Sequence, residues 1–338
     1  MKIIDAHHHY MPVKIYKEFS DPYGPSKRVV YNDNDFTFNV RLHQLDTHLN
    51  DMDEAGVDMT LLTISQWNTG GPELCRRINE ALAEDLVRHP DRLLVAGCIP
   101  QDNAEAAVAE IEYMIKELKF HGIAMLTSMG AEVNMSNKDL MWPMFRKACE
   151  LDVPIFLHPH LKPYGIELDC TINRAIGRGF DENKAFLRII YDVYPYFPDI
   201  KFVMPHFGGS TLAMKGRMNM FFEPREDLGI PVPQEIKPLP KTMLEIEELG
   251  YKRAFDALFD KMYWDGAGSS GWEPMTKLAM MTVRHDRLMW ACDYPFEIHT
   301  GRDIKYYLDS VRSLDISDAD KEAFLGGNLL NLLKLTNK

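Results

Sequence analysis

The sequence predicts one (β/α)8 barrel domain over residues 1–338. Three observations carry that expectation: eight short apolar runs recur along the chain, stretches of helical period separate them, and no G-x-G-x-x-G follows the first run. The missing glycines count against an open, dinucleotide-binding sheet, the competing architecture. Most of the runs lack polar alternation, as parallel strands buried on both faces do.

The strands are expected at roughly 2–6, 59–65, 93–99, 122–126, 153–158, 200–206, 261–266 and 288–293. Between them, Leu74, Ile78, Leu82 and Leu86 recur every four residues, and Pro90 stops that helix. Ala107, Ile111, Met114, Ile115 and Leu118 mark the next one, and 182–194 and the stretches after 300 also read as helix. Two long insertions interrupt the repeat. Residues 10–40 hold Pro12, Pro22, Gly24, Pro25 and an N-D-N-D run after the first strand. Residues 223–241, after the helix that follows strand six, hold Pro224, Pro231, Pro233, Pro238 and Pro240 and cannot be regular helix. Insertions of this length serve as lids, substrate walls or subunit contacts.

Composition narrows the function. With 46% hydrophobic and 26% charged residues the chain reads as soluble and globular, and no apolar run nears the roughly 20 residues of a membrane span. The N-terminus enters a strand, so no secretory signal is expected. The formal charge of −12 repels phosphate backbones, which counts against nucleic-acid binding and requires local arginines for any anionic substrate. Five scattered cysteines (Cys75, Cys98, Cys149, Cys170, Cys292) point to small core residues in a reducing, cytoplasmic compartment.

The chemistry sits at strand ends. The first strand runs into Asp5-Ala6-His7-His8-His9, where alternation turns His7 and His9 to one side and His8 to the other. Two converging imidazoles are a common start for a metal site, although their spacing alone suits a surface patch nearly as well. His158, His206 and Asp293 end the fifth, sixth and eighth apolar runs, and a barrel gathers those ends on its active face. A carboxylate buried after L-M-W-A-C is costly unless paired or bound to a cation. Together these residues suit one divalent ion, zinc first and manganese second. The fourth run, Ile123 to Thr127, offers no residue that could bridge two ions.

The D-x-H-x-H-x-x-P opening, the F-L-H-P, P-H-F-G-G and D-Y-P-F steps, the D-M-D-E-A-G-V segment and Gly327-Asn328 resemble the amidohydrolase superfamily. Within it they are closest to the branch of aminocarboxymuconate-semialdehyde and γ-resorcylate decarboxylases. The resemblance implies that His7, His9, His158 and Asp293 are metal ligands and that His206 moves protons beside the metal. It also implies that Arg217, eleven residues after His206, binds a substrate carboxylate, sometimes across a subunit interface. Resorcylate-type members carry a glutamate in place of His7 and another three residues after the proton-transfer histidine, where this chain has Gly209. Both departures favour the aminocarboxymuconate type, and a second carboxylate-binding arginine has no secure counterpart.

Trp67 and Trp264 are candidate walls of an aromatic pocket, with core packing an equal alternative, and His160 could face the same mouth as His158. His43, His48, His89, His121, His285 and His299 carry no motif and are expected at the surface or at caps. The expected function is metal-dependent, non-oxidative decarboxylation of a small aromatic or unsaturated carboxylic acid, with His206 or Asp293 transferring the proton. Hydrolysis of a cyclic amide, lactone or amidine by metal-activated water is the runner-up. Hydration and a non-catalytic metal-stabilised barrel remain open behind it. No organic cofactor is expected, and a homodimer or higher assembly is.

Overall fold

The computed structural model describes residues 2–31, 34–129, 133–160, 176–222, 254–268 and 272–336. The 223–241 insertion and Cys170 lie outside the described residues. Eight parallel strands form one sheet in sequential order: β1 (Ile4–His9), β2 (Met59–Thr63), β3 (Leu93–Cys98), β4 (Gly122–Leu126), β5 (Ile155–His158), β6 (Phe202–Met204), β7 (Tyr263–Asp265) and β8 (Leu288–Met289). The two sheet edges meet through Ala6 N–H donating to Trp290 O at 3.1 Å and His9 N–H donating to Tyr294 O at 2.7 Å. This is a (β/α)8 barrel, and the structured segments agree with the expected runs to within three residues at most ends. The last run is the exception, pairing with β7 only over Leu288–Met289 and meeting β1 through Trp290, Asp293 and Tyr294.

Alternate residues of each strand divide between two apolar clusters, which is why the runs show no polar alternation. Ile4, Ala6, Met59, Leu61, Leu94, Ala96, Ala124, Phe156, Val203, Met289 and Ala291 pack together with Leu329 and Leu332 from the short C-terminal helix Asn328–Leu332. Their neighbours in sequence, such as Leu62, Val95, Ile123, Leu157 and Trp290, belong to the larger cluster shared with the helices. Those helices are α1 (Leu45–Ala55), α2 (Gly71–Arg88), α3 (Ala104–Lys116), α4 (Lys138–Leu151), α5 (Arg178–Arg188), α6 (Thr211–Phe222), α7 (Glu273–Thr282) and α8 (Gly301–Arg312). Asn103, Asn137 and Thr300 cap α3, α4 and α8 by accepting backbone N–H bonds, the capping chemistry that starts a helix cleanly.

The first insertion is more ordered than its composition implies. After a single helical turn (Val13–Tyr16) it forms an antiparallel hairpin, Lys27–Tyr31 with Asn34–Phe38. Its second strand carries Phe36 and Phe38 into the core. The K-R-V-V-Y and N-D-F-T-F segments around the N-D-N-D run supply the β-branched and aromatic residues a hairpin needs.

Candidate metal centre

The strand ends place His7, His9, His158 and Asp293 together, all nearly fully buried. A register irregularity in β1 between Asp5 and His8 changes which side chains face inward. Ile4 and Ala6 fill the interior below it, while His7 and His9 converge above it. Asp293 and His206 both adopt left-handed backbone, with φ of 56° and 53°, and Phe207 follows at 52°. Such strain costs on the order of 1 kcal/mol or more per residue and clusters at functional sites.

The hydrogen bonds decide which imidazole atoms are free. His7 Nδ1 lies 3.2 Å from Asp265 Oδ2, His9 Nδ1 lies 3.2 Å from Thr63 O, and His158 Nδ1 lies 2.7 Å from Pro159 O. Carbonyls and carboxylates only accept, so each Nδ1 carries the proton and each Nε2 presents a lone pair, that of His158 accepting from Gln66 Nε2 at 2.9 Å. The Nε2 atoms of His7 and His9 stand 3.2 Å apart, and Asp293 Oδ1 is 3.1 Å from His9 Nε2. Lone pairs and an anion crowded this way repel unless a cation lies among them. The donor set therefore fits a divalent ion, with Asp265 orienting His7 from behind.

Burial and charge set the protonation states. Burial holds the pKa of His158 well below the ordinary value and lowers that of His9. For His7, burial works in the same direction, but the carboxylates of Asp265 and Asp293 outweigh it and the pKa is raised. Burial would push Asp293 up, yet His206 and His9 beside it hold its carboxyl well below the usual range.

His206 is the centre's second feature. Its Nδ1 is 2.5 Å from Glu182 Oε1, and its Nε2 is 3.6 Å from Asp293 Oδ2. Burial opposes the charged imidazole, but Glu182 and Asp293 together raise its pKa to about 10. Glu182, fully buried on α5, was not legible in the sequence. The missing signal is Gly209: a Cβ there would stand 2.6 Å from Glu182 Oε2, so the glycine vacates the space this carboxylate fills. Glu182→Gln is expected to lower kcat by about 10–100-fold with metal content unchanged, read by steady-state kinetics and elemental analysis.

Arg178, one turn before Glu182 on α5, is the other residue the sequence did not reveal. Its Nη1 lies 3.5 Å from His206 Nε2 and 3.7 Å from Asp293 Oδ2, and its Nη2 lies 3.3 Å from Glu297 Oε1. A cavity of about 200 Å³ opens over the histidines, lined by His9, Phe36, Thr37, Gln66, His158, Arg178, Asp293, Phe296 and Glu297. A larger cavity of about 830 Å³ adjoins it, sharing Arg178 and Glu297 and including His206. Arg217 is exposed on α6 and lines only this second cavity among the two.

The remaining candidates fall at varying distance from the centre. Trp67 is 1% exposed and packs on Phe19, Phe36 and Phe38, one layer behind the cavity wall. Trp67→Ala should cost about 3–5 kcal/mol of stability, measured by denaturant unfolding of the metal-loaded protein. Trp264 is buried among Phe186 and Phe259. His160 is buried, and its backbone N–H donates to Asp181 Oδ2 at 3.1 Å. His48 and His43 are corrections to the expected surface positions, because both are buried. His8 points away from the cavity onto Asp5 and onto His48, which α1 brings against the end of β1, while His43 packs on Tyr16. Cys75, Cys98, Cys149 and Cys292 are free thiols. No helix among the described residues is long and apolar enough to cross a membrane.

A family model described as "Amidohydrolase" matches residues 4–335. A γ-resorcylate decarboxylase from Polaromonas sp. (strain JS666) is 25% identical over 304 residues, covering 84% of this chain and 85% of that protein. A 2-amino-3-carboxymuconate-6-semialdehyde decarboxylase from Dictyostelium discoideum is 24% identical over 278 residues, or 78% of this chain and 67% of that one. Among solved structures, a 5-carboxyvanillate decarboxylase from Novosphingobium aromaticivorans, complexed with manganese and 4-hydroxy-3-methoxy-5-nitrobenzoic acid, shares the fold. It has a TM-score of 0.76 and 20% identity, covering 99% of this chain and 96% of that one.

Proposed function

Because the chain belongs to the amidohydrolase family, matched over residues 4–335, we propose that it is a metal-dependent, non-oxidative decarboxylase of a small aromatic or unsaturated carboxylic acid. The observation that carries this reading is the convergence of three Nε2 lone pairs and Asp293 beneath a small, partly aromatic cavity. Relatives named as decarboxylases favour loss of carbon dioxide over hydrolysis.

His7, His9, His158 and Asp293 would hold one divalent ion, with zinc suited to the imidazoles and manganese to the carboxylate. When bound, the ion supplies Lewis-acid stabilisation of the negative charge that develops near the breaking bond. Everything else falls to the chain's own residues. At about 200 Å³ the cavity is smaller than the roughly 300–1,000 Å³ of drug-sized pockets, which matches a single ring. Phe36 and Phe296, with ring centroids 5.2 Å apart, wall it and exclude water.

His206 carries the proton, and Glu182 holds the Nδ1–H so that Nε2 is turned toward Asp293. The proton goes to the substrate carbon that bears the carboxylate. The C–C bond then breaks, its electron pair restores the conjugated system, and carbon dioxide leaves. The protein would act in the cytoplasm as a homodimer or higher assembly, supported by Arg217 on the exposed face of α6. A monomer in analytical ultracentrifugation would remove that last point.

The test is release of labelled carbon dioxide from hydroxybenzoates, pyrimidine carboxylates and muconate semialdehydes by zinc- or manganese-loaded protein. Release from at least one, abolished by chelation and restored by the metal, is the expected result. Ring-opened or hydrated products without carbon dioxide would put hydrolysis or hydration in its place.

A further inference from the structure

We propose that Cys75 and Cys98 form a modification site: a buried dithiol that hydrogen peroxide converts into a reversible disulfide bracing one wall of the cavity. The inference is independent of the reaction the metal centre performs.

Among the four thiols of the described residues, these two stand apart by their geometry. Cys98, the last residue of β3, directs its Sγ to Cys75 Sγ on α2 at 3.3 Å. A disulfide needs about 2.05 Å, so the sulfurs have only about 1.3 Å to close. Their backbones are already tied to one another. Asn79, one turn beyond Cys75 on α2, accepts from Cys98 N–H at 2.9 Å and donates to Cys98 O at 2.8 Å. Bond formation gives up the Cys75 S–H contact to Trp67 O at 3.6 Å, and that carbonyl keeps the Gly70 N–H at 2.8 Å. Cys292, by contrast, donates its S–H to Asp5 Oδ2 at 2.6 Å.

Both residues are fully buried, and burial together with the Cys75 contact holds the Cys98 thiol well above its ordinary pKa. The pair therefore rests as thiols, and a bulky disulfide such as glutathione has no approach. Access for a small oxidant comes from opening at the start of α2, which follows Gly70 and has no side-chain cap. There Cys75 loses its proton and its sulfur attacks one oxygen of the peroxide. The O–O bond breaks, and the departing hydroxide takes that proton to leave water and a Cys75 sulfenic acid. Cys98 sulfur then attacks Cys75 sulfur, the S–O bond breaks, and the hydroxyl leaves as water with the Cys98 proton. The two sulfurs together lose two electrons, and the peroxide gains them.

The bridge joins the two supports of the Ser65–Trp67 turn, which carries Gln66 into the cavity wall. On one side Trp67 O takes its bonds from Gly70 and Cys75 at the start of α2. On the other, Asn68 Oδ1 accepts from the N–H of Ile99, next to Cys98, at 3.2 Å. Linking those supports restrains the turn between them.

Treating the full chain, loaded with redox-inert zinc, with hydrogen peroxide tests the proposal. The expected product has lost two titratable thiols, and digestion without reductant yields a peptide holding Cys75 linked to one holding Cys98. Its apparent Tm rises by about 3 °C or more, and amide exchange over residues 65–70 slows by about 5-fold or more. Dithiothreitol reverses all of these changes. Cys75→Ala and Cys98→Ala each abolish the link and the shift, and the linked peptide is read in the unaltered protein even where a variant fails to fold. Sulfinic acid on either cysteine in place of the link, linkage of other cysteines instead, or a linked product with unchanged Tm or unchanged exchange would each overturn the proposal.

Discussion

Asp293→Asn is expected to reduce carbon dioxide release by about 10³-fold or more and to weaken the retained metal. Asp293 has two duties, and the amide serves neither. Its Oδ1 is the one anionic donor among the described residues that faces the three Nε2 atoms, at 3.1 Å from His9 and 4.0 Å from His7. Its Oδ2 faces His206 Nε2 and the Arg178 guanidinium across gaps of 3.6 and 3.7 Å. The substitution leaves those two groups facing a neutral amide and removes one of the two carboxylates that raise the His206 pKa, Glu182 being the other. The checks are labelled carbon dioxide trapping and elemental analysis of the purified variant. Full metal occupancy with unchanged kcat would mean that the acid is only a structural hydrogen-bond acceptor.

His206→Asn is the second large effect, about 10²–10⁴-fold in kcat with metal occupancy retained. None of the three Nε2 atoms that face one another belongs to His206. Its bonds go instead to Glu182, which spends a buried carboxylate on positioning this single imidazole. Asparagine preserves size and a hydrogen bond but cannot carry a proton through the reaction. Loss of metal together with activity would assign His206 to the ligand set.

Residues at strand ends were legible in the sequence, and those carried on helix faces were not. His158, His206 and Asp293 stood out because an ionisable residue ending a wholly apolar run has few stable explanations. Their meeting at one place is a consequence of barrel closure, which sequential parallel order makes unavoidable. Asp265 ended such a run too, behind Tyr263 and Trp264, and its orienting contact to His7 could have been anticipated on the same grounds. Glu182 and Arg178 could not. In G-R-G-F-D-E-N-K they have the composition of a solvated helix face, and only the turn of α5 toward the strand ends buries Glu182 and half-buries Arg178. The buried His48 was hidden for the converse reason: its partner His8 lies 40 residues away, with no motif to join them.

The most direct measurement is a crystal structure of manganese-loaded protein with data collected at the manganese absorption edge. The account predicts one anomalous peak per chain, enclosed by the Nε2 atoms of His7, His9 and His158 and by Asp293. A map with no peak among those four side chains, or with its peak elsewhere in the barrel, would contradict it.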